Sequence, residues 1–271
     1  MENENSITFG GRRFIAQCIF NVLRIGPSPN HVAFIMDGNR RFAKKRNMAE
    51  GVGHDVGFQA LMFMLLYCHD LGVKYITVYA FTIDNFRVKP EEVQRPMDLM
   101  MEKIKLLREN ESFVHQKQVR VHSAGNLELL DPSLRDAAKR LMEVTASYSK
   151  VVVTFCVAYT STDEIVHAVR ESCEEKCNQI EDQAKDVKLN LMDVEKQMYM
   201  VIAPDPDILI RTAGENRLSN FRLWQSFSSQ LGSTAVLWPA IALWHLVWAV
   251  LDFQRNHIYF EKKKEADVTS D

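Results

Sequence analysis

"HVAFIMDGNRRFAKK", residues 31–45, passes from a six-residue run that is apolar after its histidine into Asp37, Gly38, Asn39, Arg40 and Arg41. A near-continuous apolar run of this length, without polar alternation, predicts a strand buried on both faces. Four more apolar runs of strand length appear, at "KYITVYAF" (74–81), "VRVHSAG" (119–125), "VVVTFCVAY" (151–159) and "DILIRT" (207–212). The segments between them carry helical periodicity at 56–71, 91–109 and 133–148. Buried strands alternating with helices predict an α/β fold, a central parallel sheet of about six strands flanked by helices.

The chain has 271 residues, 46% hydrophobic and 25% charged, enough for one large domain with a full core. Its formal net charge of -2 argues against a general nucleic-acid binder. Five scattered cysteines argue against a disulfide framework and for a reducing compartment. Cys173 and Cys177 in "CEEKC" read as helical residues, since no second Cys/His pair has zinc-finger spacing. Residues 1–28 are expected to be an amphipathic segment rather than a signal peptide, with Phe14, Ile15, Cys18, Ile19, Val22 and Leu23 as its apolar stripe. That stripe suits packing on its own domain first and a membrane surface second. The main domain is then 29–260, and 261–271 a polar, disordered tail. "VLWPAIALWHLVWAVLDF" (236–253) is too interrupted to span a bilayer and predicts a buried or interface helix with Pro239 near its first turn. Residues 171–200 look like an inserted charged excursion, helical or loose.

In an open parallel sheet the C-terminal strand ends share one edge, where ligands bind. Three of those ends are polar: Asp37 to Arg41, Thr82 to Arg87, and Arg211 to Asn220. Gly38 and Gly214 let backbone N–H groups approach a ligand, and Arg41, Arg211 and Arg217 can each fork onto phosphate oxygens. One carboxylate among such cations suits a Mg2+ ion, which takes one or two carboxylates together with substrate phosphates and water. The residues therefore describe a Mg2+-diphosphate site. Singly, an arginine after a strand is most often a surface ion pair and an aspartate a helix cap, so the argument rests on three such loops together. "GVGHDVG" (51–57) has the wrong spacing for a dinucleotide loop, no GxxxxGK[ST] occurs, and no DDxxD-type acidic pair is present.

"HVAFIMDGNRRFAKK", "YAFTIDNF", "DILIRTAGENRLSNFRLWQ" and "LWP" together resemble the successive signature blocks of the cis-prenyltransferases, the undecaprenyl and dehydrodolichyl diphosphate synthase family. The resemblance runs from about residue 30 to 260 and is strongest to plant members, the rubber-type enzymes included. It implies a parallel-sheet fold with a hydrophobic tunnel, in which isopentenyl diphosphate extends an allylic, farnesyl-type diphosphate to a long cis-polyprenyl diphosphate. It further implies Asp37 as the Mg2+ ligand and Gly38, Asn39 and Arg41 as the allylic-diphosphate loop. His54 would stand near the diphosphates, and Asn85 would position or deprotonate the homoallylic substrate, beside Thr82, Phe86 and Arg87. Arg211, Arg217 and Ser219 would clamp isopentenyl diphosphate. Phe58, Leu61, Met62, Leu65 and Leu99 to Met101 would line the tunnel or simply fill the core.

Departures from the bacterial members carry their own implication. Glu50 and Val88 stand where those have arginines, Gln230 where they have a metal-assisting glutamate, and "DFQRNHIYFEKKKEADVTSD" lacks their Arg-x-Gly tail. Arg87 could stand in for the arginine missing at Val88. The pattern resembles eukaryotic catalytic subunits that work with a Nogo-B receptor-like partner, peripheral to the cytosolic face of the endoplasmic reticulum or in the cytosol. The chain is thus expected to be weak alone and active in a heteromer. The alternative is a catalytically weakened scaffold subunit. A hydrolase would need a nucleophile elbow or acidic cluster that the sequence does not contain.

Overall fold

The structure, a computed structural model, describes residues 14–87, 90–109, 112–183 and 188–268. Its strands are β1 (His31–Ile35), β2 (Tyr75–Thr82), β3 (Val119–Ala124), β4 (Val151–Tyr159), β5 (Ile208–Arg211) and β6 (Gln230–Ser233). They form one parallel sheet in the order β3-β4-β2-β1-β5-β6. All five residues of β1 are buried, as are eight of the nine in β4, which is why their sequences read as unbroken apolar runs. β6 has no such signature: "QLGS" is short, half-polar and at the edge of the sheet.

Contacts within the chain group into two units that interleave in sequence. The first comprises the described residues to Val78, then Asp205–Arg217 and those from Gln225 onward. It holds α1 (residues 14–23), α2 (Asn39–Lys45), α3 (Glu50–Leu71) and α9 (Leu243–Val268). The second comprises Tyr79–Pro204 and Leu218–Trp224. It holds α4 (Pro90–Arg108), α5 (Phe113–Lys117), α6 (Pro132–Val144), α7 (Ser161–Gln183) and α8 (Leu191–Lys196).

In the first unit, α1 buries Ala16, Phe20 and Leu23, while Phe14, Ile15, Cys18 and Val22 are exposed. The expected stripe is therefore largely the outward face, and only Leu23 of it is fully buried. Both faces are apolar, so periodicity alone chose the wrong one. Gln254 of α9 fixes the helix end by donating to the Leu23 carbonyl at 2.6 Å. α3 starts six residues before the expected helix, because Gly51, Gly53 and Gly57, the residues that imitate a dinucleotide loop, lie inside it. Pro239 belongs to a separate short turn, Trp238–Ala240, and α9 begins only at Leu243. That helix then continues to Val268, through most of the segment expected to be a disordered tail.

In the second unit, the charged stretch from residue 171 continues α7 as far as Gln183. α8 follows; its inner residue Val194, and Met198 just beyond its end, pack on Ala168, Ile165 and Trp224. All five cysteines are free, Cys68 and Cys156 buried and the other three exposed. No helix among the described residues is long and apolar enough to cross a membrane.

Candidate functional site

β1 and β5 lie in register with Ile35 beside Arg211, so both strands end at the same level. Two residues beyond β1, Asp37 receives a hydrogen bond on Oδ2 from Arg211 Nη2 at 2.9 Å. Arg41, on the first turns of α2, brings Nη2 to 3.3 Å from the other carboxylate oxygen. Its Nη1 lies 3.5 Å from Glu215 Oε1, and the second oxygen of Glu215 is held by Arg217. Arg211 Nη1 donates to the Arg217 carbonyl at 2.5 Å. The result is an alternating row, Arg211, Asp37, Arg41, Glu215, Arg217, with three cations and two carboxylates. Its cations differ in freedom: the Arg211 side chain is 7% exposed, those of Arg41 and Arg217 49% and 62%. Arg211 is a fixed anchor, and the other two can exchange a carboxylate for a phosphate oxygen at little cost.

The main chain beneath the row is tightly determined. The Asp37 carbonyl accepts from Thr212 Oγ1 at 2.7 Å and from the Trp238 N–H at 2.9 Å. Trp238 is buried, donates through Nε1 to the Gly57 carbonyl at 2.8 Å, and meets the Phe34 ring edge-on. Gly38 has φ +108°, and a Cβ there would come within 2.9 Å of Leu237, so the bend between Asp37 and α2 requires glycine. Asn39 turns its side chain inward, donating to the Met36 carbonyl at 3.3 Å and lying where a Cβ on Gly57 would be 2.2 Å from its Oδ1. What Asn39 can offer a ligand is its backbone N–H, one of those unpaired by helix geometry at the start of α2. His54 is half-buried on α3, three residues before Gly57.

Within the second unit, β2 ends in a short 3-10 turn, Ile83–Arg87. Thr82 Oγ1 accepts from the Asp84 N–H at 3.3 Å, and Phe86 packs edge-on against Phe81. Asn85 is half-buried. Arg87 pairs with Asp84 at 3.4 Å, and both line a cleft of about 530 Å³ with Thr160, Thr162, Asp163, Arg170 and Asn220. Ser219 is exposed.

The structure thus gathers Asp37, Arg41, Arg211 and Arg217 into one row in the first unit, and Thr82, Asn85, Phe86 and Arg87 into one turn in the second. Val88 and the Glu50 side chain lie outside the described residues. Gln230 pairs in register with Ile208, at the opposite end of the strands from Arg211, and accepts from Asn256 at 3.1 Å. Glu215 and Trp238 are the functional residues that the sequence reading missed. For Glu215 a signal was present, a lone carboxylate between two arginines in "RTAGENR"; for Trp238 it was "LWP", used only as a family block.

The donor set also bears on a metal ion. Among the described residues no group of three or more His, Cys, Asp or Glu side chains could form a protein cage. Asp37, partly exposed at the strand end, fits an ion that takes one protein carboxylate and draws its remaining oxygens from a diphosphate and water.

Residues 35–261 match a family model described as "Putative undecaprenyl diphosphate synthase". The chain is 54% identical to dehydrodolichyl diphosphate synthase 6 of Arabidopsis thaliana, over 93% of this chain and 91% of that one. It is 48% identical to the rubber cis-polyprenyltransferase HRT2 of Hevea brasiliensis, over 93% of each. To the dehydrodolichyl diphosphate synthase complex subunit of Homo sapiens it is 41% identical, over 90% of this chain and 73% of that one. Among solved structures, lavandulyl diphosphate synthase from Lavandula x intermedia, in complex with dimethylallyl diphosphate, superposes with a TM-score of 0.74 at 27% identity, over 84% of this chain and 95% of that one. With the strand-end row of arginines and carboxylates, these matches establish that the chain belongs to the undecaprenyl diphosphate synthase family, the cis-prenyltransferases.

Proposed function

We propose that the protein is a Mg2+-dependent cis-prenyltransferase that adds isopentenyl diphosphate to a farnesyl-type allylic diphosphate, building a long dehydrodolichyl-type cis-polyprenyl diphosphate. The observation that carries this reading is the alternating row anchored by buried Arg211, with Arg41 and Arg217 exposed and able to turn onto phosphate oxygens. Arg41 and the α2 N–H groups hold the allylic diphosphate and stabilise the charge that grows on it as its C–O bond breaks. Arg211, Arg217 and Ser219 hold the diphosphate of the incoming isopentenyl unit. Asn85 orients that unit so that its alkene attacks the allylic carbon and a proton is then lost. A Mg2+ ion bound to Asp37 and the diphosphate would supply further charge neutralisation.

The reading extends to assembly and place. The chain acts as catalytic subunit beside a Nogo-B receptor-like partner, peripheral to the cytosolic face of the endoplasmic reticulum. Supporting this are the human relative's name as a complex subunit, the apolar outward face of α1, and the exposed Trp244 and Trp248 of α9, the helix that packs on the terminal strand β6.

The test is incorporation of labelled isopentenyl diphosphate into extractable prenols, with farnesyl diphosphate and Mg2+, for the chain alone and co-expressed with such a partner. Activity with the partner that disappears on chelation of Mg2+ is expected. Silence in both, in a demonstrated complex, would turn the reading to a scaffold subunit.

A further inference from the structure

The segment Leu218–Trp224 follows the cationic loop, and its backbone is unusual. Ser219, Asn220 and Arg222 all have left-handed φ, at +49°, +57° and +47°. Asparagine tolerates that region, whereas serine and arginine adopt it only where the surroundings impose it. The surroundings here are contacts within the second unit. The Asn220 side chain accepts through Oδ1 from the Thr162 N–H at 3.1 Å and from Thr162 Oγ1 at 3.2 Å, and its carbonyl accepts from the Ser161 N–H at 2.8 Å. One residue thus satisfies the opening of α7 with both its side chain and its main chain. Beyond it, Phe221 is buried and stacked on Tyr79 at 4.5 Å, Arg222 is wholly buried, and the Leu223 N–H donates to Ser161 Oγ at 2.9 Å. The Tyr79 hydroxyl lies 3.1 Å from the Tyr159 carbonyl and 3.4 Å from that of Ser219, so its single proton is shared between them. Ser219 itself is exposed, carried by neighbours that are not.

We propose that Asn220 is a positioning residue: by binding the first turn of α7 it holds Ser219 in a left-handed conformation that aims the serine at the isopentenyl diphosphate. The proposal rests on the reading of Ser219 as part of that clamp. Asp at position 220 keeps an acceptor for the Thr162 N–H and tolerates left-handed φ. Ala loses both, and Gly loses only the acceptor.

The test compares Asn220→Ala, Asn220→Gly, Asn220→Asp and Ser219→Ala in the assembly that is active with the wild-type chain, measuring KM for each diphosphate, kcat and the melting temperature. Misplacing a contact group by about an ångström should raise KM for isopentenyl diphosphate roughly 10-fold or more in Ala and Gly. KM for farnesyl diphosphate should stay near wild type, and Asp should recover most of the loss. Unchanged KM in Asn220→Ala beside a raised one in Ser219→Ala would overturn the positioning role and leave the clamp reading intact. A parallel rise in both KM values with a lowered melting temperature would also overturn it, in favour of a merely structural cap. If Ser219→Ala itself has no effect on KM, the clamp reading falls and takes this proposal with it.

Discussion

At the scale of single residues, Asp37 has two separable duties. Its carboxylate neutralises Arg211, whose side chain is nearly buried, and in the proposed reaction it is the ligand of the Mg2+ ion. Removing one partner of a buried ion pair is costly, less so here because Asp37 is 29% exposed. Asp37→Ala is therefore expected to lower stability by roughly 1–3 kcal/mol and turnover by roughly 10²–10³-fold. Asp37→Asn keeps a carbonyl oxygen for Arg211, so its melting temperature should stay near wild type while activity is lost as in the alanine variant. Thermal melts beside product assays check this, and an active Asn variant would remove the metal-ligand role. Glu215 is different, because its partners Arg41 and Arg217 are half exposed or more. Glu215→Gln should leave stability within about 0.5 kcal/mol. With their common tether gone, the two arginines should bind the diphosphates more weakly, raising KM roughly 2–5-fold, the worth of an exposed ion pair. A fall in KM would mean that Glu215 acts by competing with substrate for the arginines.

At the scale of elements, the sequence was legible where burial was two-sided. β1, β2, β4 and β5 were visible as apolar runs, whereas β3, an edge strand with Arg120, His122 and Ser123 on its less buried positions, showed only a partial signal; the polar residues after β1 and β5 do meet at one sheet edge. It was illegible where a tertiary partner overrode local signal. Three glycines disguise the start of α3, yet Gly57 is there because Asn39 occupies the space of its side chain. Gly57→Ala should push α2 away from α3. Overpacking of this kind costs roughly 1–3 kcal/mol, which for a chain of this size lowers the melting temperature by roughly 2–4 °C per kcal/mol. Because α2 carries Arg41, allylic-diphosphate binding should weaken in the same variant; unaltered melting and binding would mean the helix contact is slack. β3 offers a pH test. Burial lowers the pKa of His122 below its ordinary value, against a hydrogen bond to the Tyr199 backbone and together with the charge of Arg120. A depressed histidine pKa means the unfolded chain binds the extra proton first, so this contribution is present above about pH 6.5 and is lost as pH falls through the folded value. Melting temperatures should drop from pH 7 to pH 5, and His122→Gln should flatten that slope.

At the scale of the whole molecule, the question is what meets the open side of β6. An edge strand presents unpaired backbone groups, which chains usually guard with charge or a covering element. Here Leu231 on β6 and Phe227 just before it are 53% and 56% exposed, and Trp244 and Trp248, one turn apart on α9, are 57% and 65% exposed. α9 packs on β6 and ties Asn256 to Gln230, so both elements that carry these exposed side chains are joined in the first unit. Large exposed apolar side chains on a terminal strand and on the helix packed against it suit an interaction surface. The position of Gln230 fits this, since it faces α9 at the end of the strands away from Asp37, where a carboxylate would have no part in this chain's own row. The expected occupant is the partner subunit of the proposed heteromer. Trp244→Glu with Trp248→Glu alters exposed positions, so the chain alone should melt near the wild-type temperature. Co-expressed with its partner, the double variant should elute as a free chain in size-exclusion chromatography and lose the activity that the partner confers. If it still co-elutes and stays active, the partner binds elsewhere. If it separates but keeps full activity, the protein is a self-sufficient enzyme, and the departures at Glu50, Val88 and Gln230 from the bacterial pattern carry no penalty.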